Sequence, residues 1–400
     1  MNFDIRDYNL FDEFGPEKII FLNNPTVDMN AVLIIDNTVY GPTGGGVRFA
    51  PDITVDEMIR LARAMTLKFS TYNIPVGGAK SGIWGDPLDL QKKDILLSSF
   101  ADSIELFVKS DIYYPGPDMG TDDNDLIKIF KTLKLPNRAP KKIKLIKMGI
   151  PVEELFTGYG VVYCLTTIYD NIEKIIIKHI HKNHKPRVIM EGFGKVGTAL
   201  AMSLNEIGYK LTGVSTINGA IFDEDGLNVE DLIKLKLTYG DQLVNQYESK
   251  NLVRVPKEKL FELSSEYPTE FIIPGARPDA INKENVGKIQ ALSIVPAANI
   301  PYEKGVTETL KDMNIIAFPD FVVNAGEVLA LNFSFNRAVQ NADEIFEYIK
   351  SKITEKTMEV IQGAAEERIS PYNYAVENAL KEIKKRLQKK KKSIEKLTKR

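Results

Sequence analysis

The first clear hydrophobic pattern in the chain is helical. Thr54 and Glu57 form an N-terminal capping box, and apolar positions recur every three or four residues after it. These positions are Met58, Leu61, Ala62, Met65 and Phe69. The spacing predicts a helix over residues 54–70. Lys68 lies at the edge of the apolar stripe, so its side chain either extends along the surface with the ammonium in water or points into a cleft.

The second half of the chain alternates short β-rich runs with helical patterns. Residues 187–190 form a β-rich run, residues 195–207 are helical in pattern and end at Gly208, and residues 210–215 form the next strand candidate. Further strand candidates cover residues 271–273, 291–295 and 315–318. The alternation predicts a doubly wound sheet of the Rossmann type, with helices on both faces.

The boundaries between these patterns predict two α/β domains. Residues 139–156 contain two prolines and four lysines and are typical of a connecting region. We therefore expect an N-terminal domain of residues 1–155 and a dinucleotide-binding domain of residues 156–334. The rest of the chain is helical in pattern, and residues 335–400 should return to the first domain and complete it.

Composition is that of a globular protein. The 400 residues are 44% hydrophobic and 26% charged, which provides apolar material for two cores and is too balanced for a disordered chain. The single cysteine, Cys164, excludes an internal disulfide and suits a reducing compartment. The N-terminus lacks the hydrophobic region of a signal peptide, and no apolar run approaches the roughly 18 residues of a membrane span. We expect a cytoplasmic protein without membrane contact.

The C-terminal region carries an uneven charge. Residues 381–400 hold eleven Lys or Arg and two Glu, a net charge of +9, which leaves −11 for the rest of the chain given the total of −2. Such a tail either binds a nucleic acid or an anionic surface, or forms a solvated terminal helix. Leu and Ile recur there at a loose helical spacing and no aromatic residue is interleaved, which favours the solvated helix over a nucleic-acid partner.

A glycine motif with nucleotide-binding spacing follows residues 187–190. Its residues are Gly192, Phe193, Gly194, Lys195, Val196 and Gly197. A GxGxxG run by itself also fits an ordinary tight turn, but here it connects a β-rich run to an amphipathic helix, where pyrophosphate can approach the helix N-terminus. The next strand ends in Ser215 and Thr216, with neither the acidic residue typical of NAD sites nor a following arginine for NADP. The sequence leaves NAD and NADP open.

Two lysines near glycine-rich turns are candidates for chemistry. Lys80 lies in the run Pro75–Gly82, where flanking glycines deny it side-chain packing, and Lys68 precedes this run. A lysine in such a turn approaches a substrate closely, and desolvation or a neighbouring cation lowers its pKa toward neutrality. Together with a dinucleotide site, the two lysines indicate redox chemistry at an amine or carbonyl carbon.

Aspartate and lysine, not histidine, are the residues available for proton transfer. Asp118 lies in a proline-bracketed loop and is either a turn cap or an acid–base group. The aspartates after it are typical of helix caps; they are Asp122, Asp123 and Asp125. The histidines do not share one helical face and have no cysteine nearby, so we expect neither a metal site nor a histidine base. They are His179, His181 and His184.

The order of these motifs resembles the glutamate/leucine/phenylalanine/valine dehydrogenase family. The matching segments include the glycine-rich run Gly41–Phe49, the two lysines, the Asp118 loop and the GxGxxG turn, and the resemblance extends over about residues 20–340. It implies reversible NAD- or NADP-dependent oxidative deamination of an L-amino acid to a 2-oxo acid and ammonia. It also implies that the first domain binds substrate and builds a homo-oligomer, a hexamer in many members, with catalysis in the cleft between the domains.

The resemblance assigns roles to individual residues at the substrate. Lys80 is implied to activate the water that attacks the imine, and Asp118 to move protons at the nitrogen. Lys68, Gly77 and Gly78 are implied to hold the α-carboxylate. The substrate pocket is implied to include Gly44, Gly45, Val328 and Leu331.

The implied cofactor contacts beyond the glycine turn come from three segments. Thr157 is implied to contact the nicotinamide carboxamide, although Tyr159 stands where the family has arginine. Asn299 and Asn324 match two asparagines of the family. The two residues before Ala298, and Glu327 after Gly326, depart from the family pattern, which makes the local backbone there the open question.

Two departures bear on the substrate. Glutamate-specific relatives have a lysine at the position of Gly44 and a serine at that of Leu331, both for the γ-carboxylate. Burying a carboxylate without partners is costly, so we expect an apolar amino acid, with glutamate as the alternative. An alternative of another class is a catalytically inert nucleotide-binding scaffold that acts through the basic tail. The retained Lys68, Lys80 and Asp118 argue against it.

Overall fold

The computed structural model describes residues 11–139, 146–147, 150–171, 185–335 and 341–398. The chain divides into two units, Met1–Lys142 with Glu377–Arg400, and Ile143–Val376. Among the described residues, no helix combines the length and the apolar character needed to cross a membrane.

The first unit is built on a mixed sheet, five-stranded among the described residues. In chain order the strands are β1 (Lys18–Asn24), β2 (Met29–Ile35), β3 (Thr43–Ala50), β4 (Gly77–Trp84) and β5 (Tyr113–Pro117). The spatial order is β1-β2-β4-β3-β5. Strand β3 is parallel to β4 and β5, whereas β2 is antiparallel to β1 and β4. The helices are α1 (Val55–Thr71), α2 (Leu90–Lys109) and α3 (Asp123–Thr132).

The two faces of this sheet meet different helices. Side chains alternate between the faces along a strand, and Val47 and Ala79 pack in a core with α2 and α3. The intervening positions of β4 face α1, since a side chain on Gly78 would collide with the backbone oxygen of Ala62. Lys80 belongs to this second set. The α1 face of the sheet is therefore the face on which the candidate chemistry lies.

Helix α1 confirms the prediction for residues 54–70. Oγ1 of Thr54 accepts the capping hydrogen bond from the N–H of Glu57 at 3.2 Å. The apolar stripe turns inward, as its spacing predicts, with Met58, Leu61 and Ala62 buried.

The second unit contains the predicted doubly wound sheet. A two-residue antiparallel pair, β6 (Ile146–Lys147) and β7 (Ile150–Pro151), precedes it. The strands of the large sheet are β8 (Arg187–Met190), β9 (Lys210–Thr216), β10 (Gly219–Phe222), β11 (Val253–Val255), β12 (Phe271–Ile273), β13 (Ser293–Ile294) and β14 (Ile316–Ala317). Their order is β11-β10-β9-β8-β12-β13-β14, parallel from β9 to β14, with β10 antiparallel to both of its neighbours.

Each strand predicted for this domain is present. Strands β8 and β12 have the predicted bounds, whereas β13 and β14 are shorter than the predicted 291–295 and 315–318. The helices are α4 (Phe156–Asn171), α5 (Lys195–Glu206), α6 (Val229–Tyr239), α7 (Leu243–Gln246), α8 (Val306–Asp312), α9 (Asp320–Val323), α10 (Gly326–Phe335) and α11 (Ala342–Glu367). The antiparallel strands β10 and β11 were not predicted.

The division into units differs from the predicted domains at α11. The prediction assigned residues 335–400 to the first domain, but the second unit extends to Val376. The physical reason is that α11 packs along α4: the rings of Phe156 and Phe346 meet edge to face at 5.4 Å, and Thr357 donates a hydrogen bond to Cys164. Residues 143–155 likewise fall in the second unit.

The last helix, α12 (Pro371–Thr398), returns the chain to the first unit from Glu377 onward. Oγ of Ser70 donates to the carbonyl oxygen of Ala379 at 3.1 Å, and Ile383 is fully buried. The guanidinium of Arg386 lies 4.3 Å from the centre of the Tyr40 ring, a cation–π contact. Beyond this point the lysines at 389–392 are exposed, as expected of a solvated helix.

Candidate active site

Lys80 and Asp118 form a buried ion pair in the first unit. Nζ of Lys80 lies 3.1 Å from Oδ2 of Asp118, and the two side chains are 3% and 15% exposed. Lys80 projects from the α1 face of β4, and Asp118 directly follows β5. Two residues that the sequence pointed out in separate motifs are therefore in contact.

A third charged side chain, Arg48, completes this cluster. Its Nε donates to Oδ2 of Asp118 at 2.8 Å, and its Nη1 donates to Oε1 of Glu57. Arg48 comes from β3 and Glu57 from the first turn of α1. The sequence patterns predict no role for either residue at the site. The sequence feature that could have predicted Arg48 is its spacing: it lies two residues after Gly46 on the same strand, so both positions are on the α1 face.

Gly46 allows the ion pair to form. A Cβ at this position would lie 2.7 Å from Cβ of Asp118 and 3.2 Å from Nζ of Lys80. Any side chain here would push the carboxylate and the ammonium away from their present positions. The third glycine of the run at 44–46 is therefore required by close approach.

Asp118 does not cap its own turn. That turn is closed by Thr121, whose Oγ1 accepts from the N–H of Asp118 at 3.0 Å and donates to the carbonyl of Val47 at 2.7 Å. The carboxylate faces the two cations instead. Burial alone would raise the pKa of Asp118, but the charges of Lys80 and Arg48 outweigh burial and hold the pKa below its ordinary value. The carboxylate is therefore ionised at neutral pH.

Lys68 is buried, with an exposed fraction of 4%. The interpretation that places its ammonium in water is therefore wrong. Its helix turn contacts the second glycine run, since the N–H of Gly78 donates to Oγ1 of Thr66 at 3.1 Å. The N–H of Gly77 donates to the carbonyl of Pro42 at 2.8 Å. Both glycine N–H groups are thus engaged inside the protein, so these glycines shape the site and do not serve as donors to a ligand.

The side of Gly44 on which a side chain would project faces an apolar wall. A Cβ built there would lie 3.4 Å from Cγ1 of Val76 and 3.5 Å from the ring of Phe69. Phe69 is buried and Val76 is half-buried. The sequence pattern predicts Phe69 as part of the apolar stripe of α1 and no role for Val76. Gly45, the next residue, packs against the backbone oxygen of Ala79.

The other two residues expected at the substrate lie on α10 of the second unit. Val328 is half-buried and Leu331 is 53% exposed. Leu331 therefore presents an apolar surface at the position where glutamate-specific relatives are expected to have a serine.

The GxGxxG turn has the backbone that a dinucleotide site needs. Gly192 has a positive φ of 85°, and a Cβ on Gly197 would lie 2.2 Å from the carbonyl oxygen of Gly192. A Cβ on Gly194 would meet nothing within 4 Å, and no described side chain caps α5 at this residue. The first N–H groups of α5 are therefore oriented toward an open approach, which suits a pyrophosphate.

Strand β9 supports this turn from the side. Oγ of Ser215 accepts from the N–H of Gly192 at 3.3 Å. The hydroxyl of Thr216 donates to the backbone oxygen of Asp241 at 2.7 Å, so it is already engaged within the protein. Among the remaining motif residues, Phe193 is buried, Val196 half-buried and Lys195 exposed.

The three residues expected at the nicotinamide lie in adjoining segments. Nδ2 of Asn324 donates to Oδ1 of Asn299 at 3.0 Å, and a side chain on Gly326 would collide with the backbone of Phe156 and Thr157. Asn324 is 5% exposed, and within the described residues no donor reaches its Oδ1. A buried amide oxygen in this state fits an N–H donor from a ligand, such as a carboxamide. The residues of this unit therefore fit a nicotinamide dinucleotide.

Within the part of the chain that the structure describes, no group of three or more His, Cys, Asp or Glu could hold a metal ion. His179, His181 and His184 lie outside the described residues.

Comparison with known families covers both units. A family model described as "Glutamate/Leucine/Phenylalanine/Valine dehydrogenase" matches residues 149–391, and one described as "Glu/Leu/Phe/Val dehydrogenase, dimerisation domain" matches residues 16–135. The chain belongs to this family. These matches confirm the family and the two-domain α/β fold that the sequence predicted. They also confirm the expected enzyme class, which is an NAD- or NADP-dependent amino-acid dehydrogenase.

Relatives of the Glu/Leu/Phe/Val dehydrogenase family cover most of the chain. The NADP-specific glutamate dehydrogenase of Saccharolobus shibatae is 35% identical over 302 residues, which are 73% of this chain and 67% of the relative. The NAD-specific glutamate dehydrogenase of Staphylococcus aureus strain COL is 29% identical over 336 residues, 82% of this chain and 76% of the relative. Between them, these relatives use both nicotinamide cofactors.

Solved structures share the fold at low sequence identity. The hetero-hexameric glutamate dehydrogenase of Thermus thermophilus, in its leucine-bound form, has a TM-score of 0.78 at 22% identity and covers 93% of this chain and 89% of its own. The L-tryptophan dehydrogenase of Nostoc punctiforme has a TM-score of 0.62 at 21% identity and covers 94% of this chain and 98% of its own. The same fold thus occurs in proteins named for a charged and for an aromatic amino acid.

Proposed function

We propose that this amino-acid dehydrogenase catalyses the reversible oxidative deamination of an apolar L-amino acid to a 2-oxo acid and ammonia. The observation that carries the proposal is the buried Lys80–Asp118 pair, with Nζ and Oδ2 3.1 Å apart. A lysine amine and a carboxylate in contact provide the two acid–base groups that proton transfer at water and at nitrogen requires.

In this proposal, Lys80 activates the water that attacks the imine carbon, and Asp118 carries protons to and from the substrate nitrogen. Lys68 binds the α-carboxylate. The burial of Lys68 supports this role, because the attraction between an ammonium and a carboxylate is stronger away from bulk water. Gly77 and Gly78 act indirectly, because the absence of a side chain lets β4 pack against the backbone of Asn37 and of α1, the helix that carries Lys68.

The second unit supports NAD or NADP as the oxidant. When bound, the nicotinamide supplies the two-electron acceptor. We infer that Asn324, Asn299 and Thr157 hold its carboxamide and that the turn at residues 192–197 holds the pyrophosphate. The hydroxyl of Thr216 is engaged with Asp241 and carries no charge, so this position neither repels a 2′-phosphate nor binds a ribose as a carboxylate does.

The apolar preference rests on the surroundings of Gly44. The groups nearest to a Cβ at this position would be the ring of Phe69 and a methyl group of Val76. Such a wall rewards a buried substrate methylene by about 0.8 kcal/mol. An unpaired γ-carboxylate in the same place would lose its hydration without gaining a cation.

Glutamate is the second candidate substrate. The observation in its favour is that the relative from Saccharolobus shibatae, 35% identical, is named a glutamate dehydrogenase. A cation other than a lysine at position 44 would then have to hold the γ-carboxylate.

An amino-acid panel, assayed by absorbance of the reduced cofactor with NAD and NADP separately, tests the preference. We expect kcat/KM for leucine, valine, phenylalanine or a similar substrate to exceed that for glutamate. The variant Gly44→Lys with Leu331→Ser should move the preference toward glutamate, because it adds a cation and a hydroxyl for the γ-carboxylate.

Gly44→Met is the matched control for this experiment. Methionine adds similar bulk next to Phe69 and Val76 but no charge, so it should lower activity on large substrates without any gain on glutamate. If the unmodified enzyme prefers glutamate across the panel, the assignment of Gly44 to the side-chain pocket is wrong.

We also infer a homo-oligomer. The family model that matches residues 16–135 is described as a dimerisation domain, and the Thermus thermophilus relative is a hexamer of mixed subunits. Many members of the family form hexamers, which is the size we propose here. The cytoplasmic location stays a prediction.

Removal of residues 389–400 tests whether the basic tail is a solvated helix or binds a nucleic acid. This cut keeps Ile383 in its buried position and Arg386 on the Tyr40 ring, and it removes seven Lys or Arg. We expect kcat and KM to stay at the full-length values, since the lysines at 389–392 are exposed and lie outside the candidate site. Salt-sensitive binding of an oligonucleotide at near-physiological ionic strength, lost on truncation, would contradict the solvated-helix interpretation.

A further inference from the structure

Arg48 links two carboxylates in the charged cluster of the first unit. Its Nε donates to Oδ2 of Asp118 at 2.8 Å while its Nη1 donates to Glu57, and only 7% of its side chain is exposed. The arginine comes from β3, the aspartate from the segment after β5 and the glutamate from α1. The planar guanidinium is therefore fixed at both ends before any substrate binds.

We propose that Arg48 is a positioning residue that keeps Asp118 ionised and oriented while Lys80 gains and loses its proton. The proposal rests on the acid–base roles proposed above. If Lys80 were the only cation beside Asp118, loss of its proton would leave a buried carboxylate without a counter-charge, which is costly. A guanidinium, unlike an amine, does not give up its proton in proteins. Asp118 therefore has a cationic partner at every stage of the cycle.

Among the described residues, the charged and titratable groups placed beside Asp118, directly or through Arg48, come from β3, β4, β5 and α1. They are Lys80 on β4, Arg48 on β3, Glu57 on α1 and Tyr113 on β5. Burial raises the pKa of Tyr113, and its hydroxyl donates to the backbone oxygen of Gly45 at 3.0 Å, so this residue stays neutral. With Lys80 protonated, two cations balance two carboxylates. With Lys80 neutral, the positive charge that remains is that of Arg48.

The geometry also explains why an arginine and not a lysine occupies position 48. Two separate nitrogens of one rigid plane reach the two carboxylates. A lysine would keep the charge but has a single flexible ammonium, so it could not hold Asp118 and Glu57 in a fixed arrangement.

The experiment compares Arg48→Ala and Arg48→Lys with the wild-type protein by two measurements. One is the pH profile of kcat. The other is the titration of the Asp118 carboxyl group by difference infrared spectroscopy, assigned by its absence in Asp118→Asn. In Arg48→Ala we expect kcat to fall about 10- to 100-fold, the loss of one hydrogen bond to a charged group. KM for the amino acid should change little.

The two readouts should move in a defined direction. Loss of the guanidinium removes a charge that favours the ionised carboxylate, so the titration of Asp118 and the acid limb of the kcat profile should both shift to higher pH. Arg48→Lys should bring the titration close to the wild-type position while kcat stays low. A purely structural role for Arg48 predicts lower thermal stability in the variants, without a titration of Asp118 that shifts in Arg48→Ala and returns in Arg48→Lys.

Arg138→Ala is the matched control. Arg138 pairs with Asp111 at 2.8 Å in the same unit and does not contact the cluster, so neither readout should move. An unchanged titration of Asp118 in folded Arg48→Ala would overturn the proposal. If that variant does not fold, Arg48→Gln, which keeps hydrogen-bonding capacity without charge, takes its place under the same criterion.

The titration requires no turnover, and this separates the proposal from the proposed function. A wild-type protein that oxidises no amino acid in the panel would contradict the proposed function. The position of the Asp118 titration with and without Arg48 would still support or overturn the effect assigned to Arg48.

Discussion

Replacing Lys80 with alanine should lower kcat by at least about 10²-fold, because the variant loses the group proposed to activate water. Binding of the reduced cofactor, followed by its fluorescence, should be preserved, since the glycine turn and Asn324 belong to the other unit. The structure adds a reason for a large effect: removing the ammonium also leaves Asp118 with Arg48 as its one remaining cation in the cluster.

Lys93→Ala is the control for the loss of a largely buried, ion-paired lysine that has no proposed role in catalysis. Nζ of Lys93 pairs with Oδ2 of Asp125 at 2.7 Å, with side chains 12% and 13% exposed, so the two ion pairs are similar in kind. The control should retain near wild-type kcat with some loss of thermal stability. Near wild-type kcat in Lys80→Ala would end the assignment of Lys80 as the activating group.

Asp118→Asn should also reduce kcat by about 10²-fold or more, while the amino acid still binds. Asparagine keeps the shape of the side chain and cannot exchange a proton at neutral pH. Single-turnover and steady-state measurements with the preferred amino acid from the panel would separate binding from turnover. A loss of thermal stability alone, with kcat unchanged, would mean that the carboxylate is structural.

The pH dependence of stability gives an independent check on Asp118. Its pKa is lower in the folded protein than in the unfolded chain, because Lys80 and Arg48 outweigh the effect of burial. The group therefore stabilises the fold above its unfolded pKa, and this contribution is lost as the pH falls through the folded pKa. The difference in melting temperature between wild type and Asp118→Asn should be largest near neutral pH and should shrink in acid.

Asp122→Asn is the corresponding control in the same loop. Oδ1 of Asp122 accepts from the N–H groups of Asn124 and Asp125 at the start of α3. Asparagine is an equally good N-cap. Both kcat and stability should therefore stay close to the wild-type values.

The sequence predicted the elements whose determinants are local. The N-cap at Thr54 and the apolar spacing behind it were enough for α1, because a helix requires contacts only three and four residues apart. The strand–turn–helix–strand segment from residue 187 to residue 216 was predictable for the same reason, and its glycines carry the positive φ and close approach that the motif indicates.

The parts of the candidate site that the sequence missed or left open depend on contacts between distant residues. Arg48 and Asp118 are seventy positions apart in the chain, and their contact exists because β3 lies beside β5 in the sheet. The burial of Lys68 depends on the packing of its helix against β4. The apolar wall beside Gly44 is formed by Phe69 and Val76, which belong to the end of α1 and the segment before β4.

The sequence by itself therefore determined the family, the Rossmann-type sheet, the nucleotide turn and the identity of Lys80 and Asp118 as candidates. Only the tertiary structure decided that these two side chains meet, that Arg48 and Glu57 extend them into a balanced cluster, and that α11 belongs with α4. The reason is physical: periodicity and capping act within a few residues, whereas charge pairing, burial and helix packing are set by which elements the fold brings side by side.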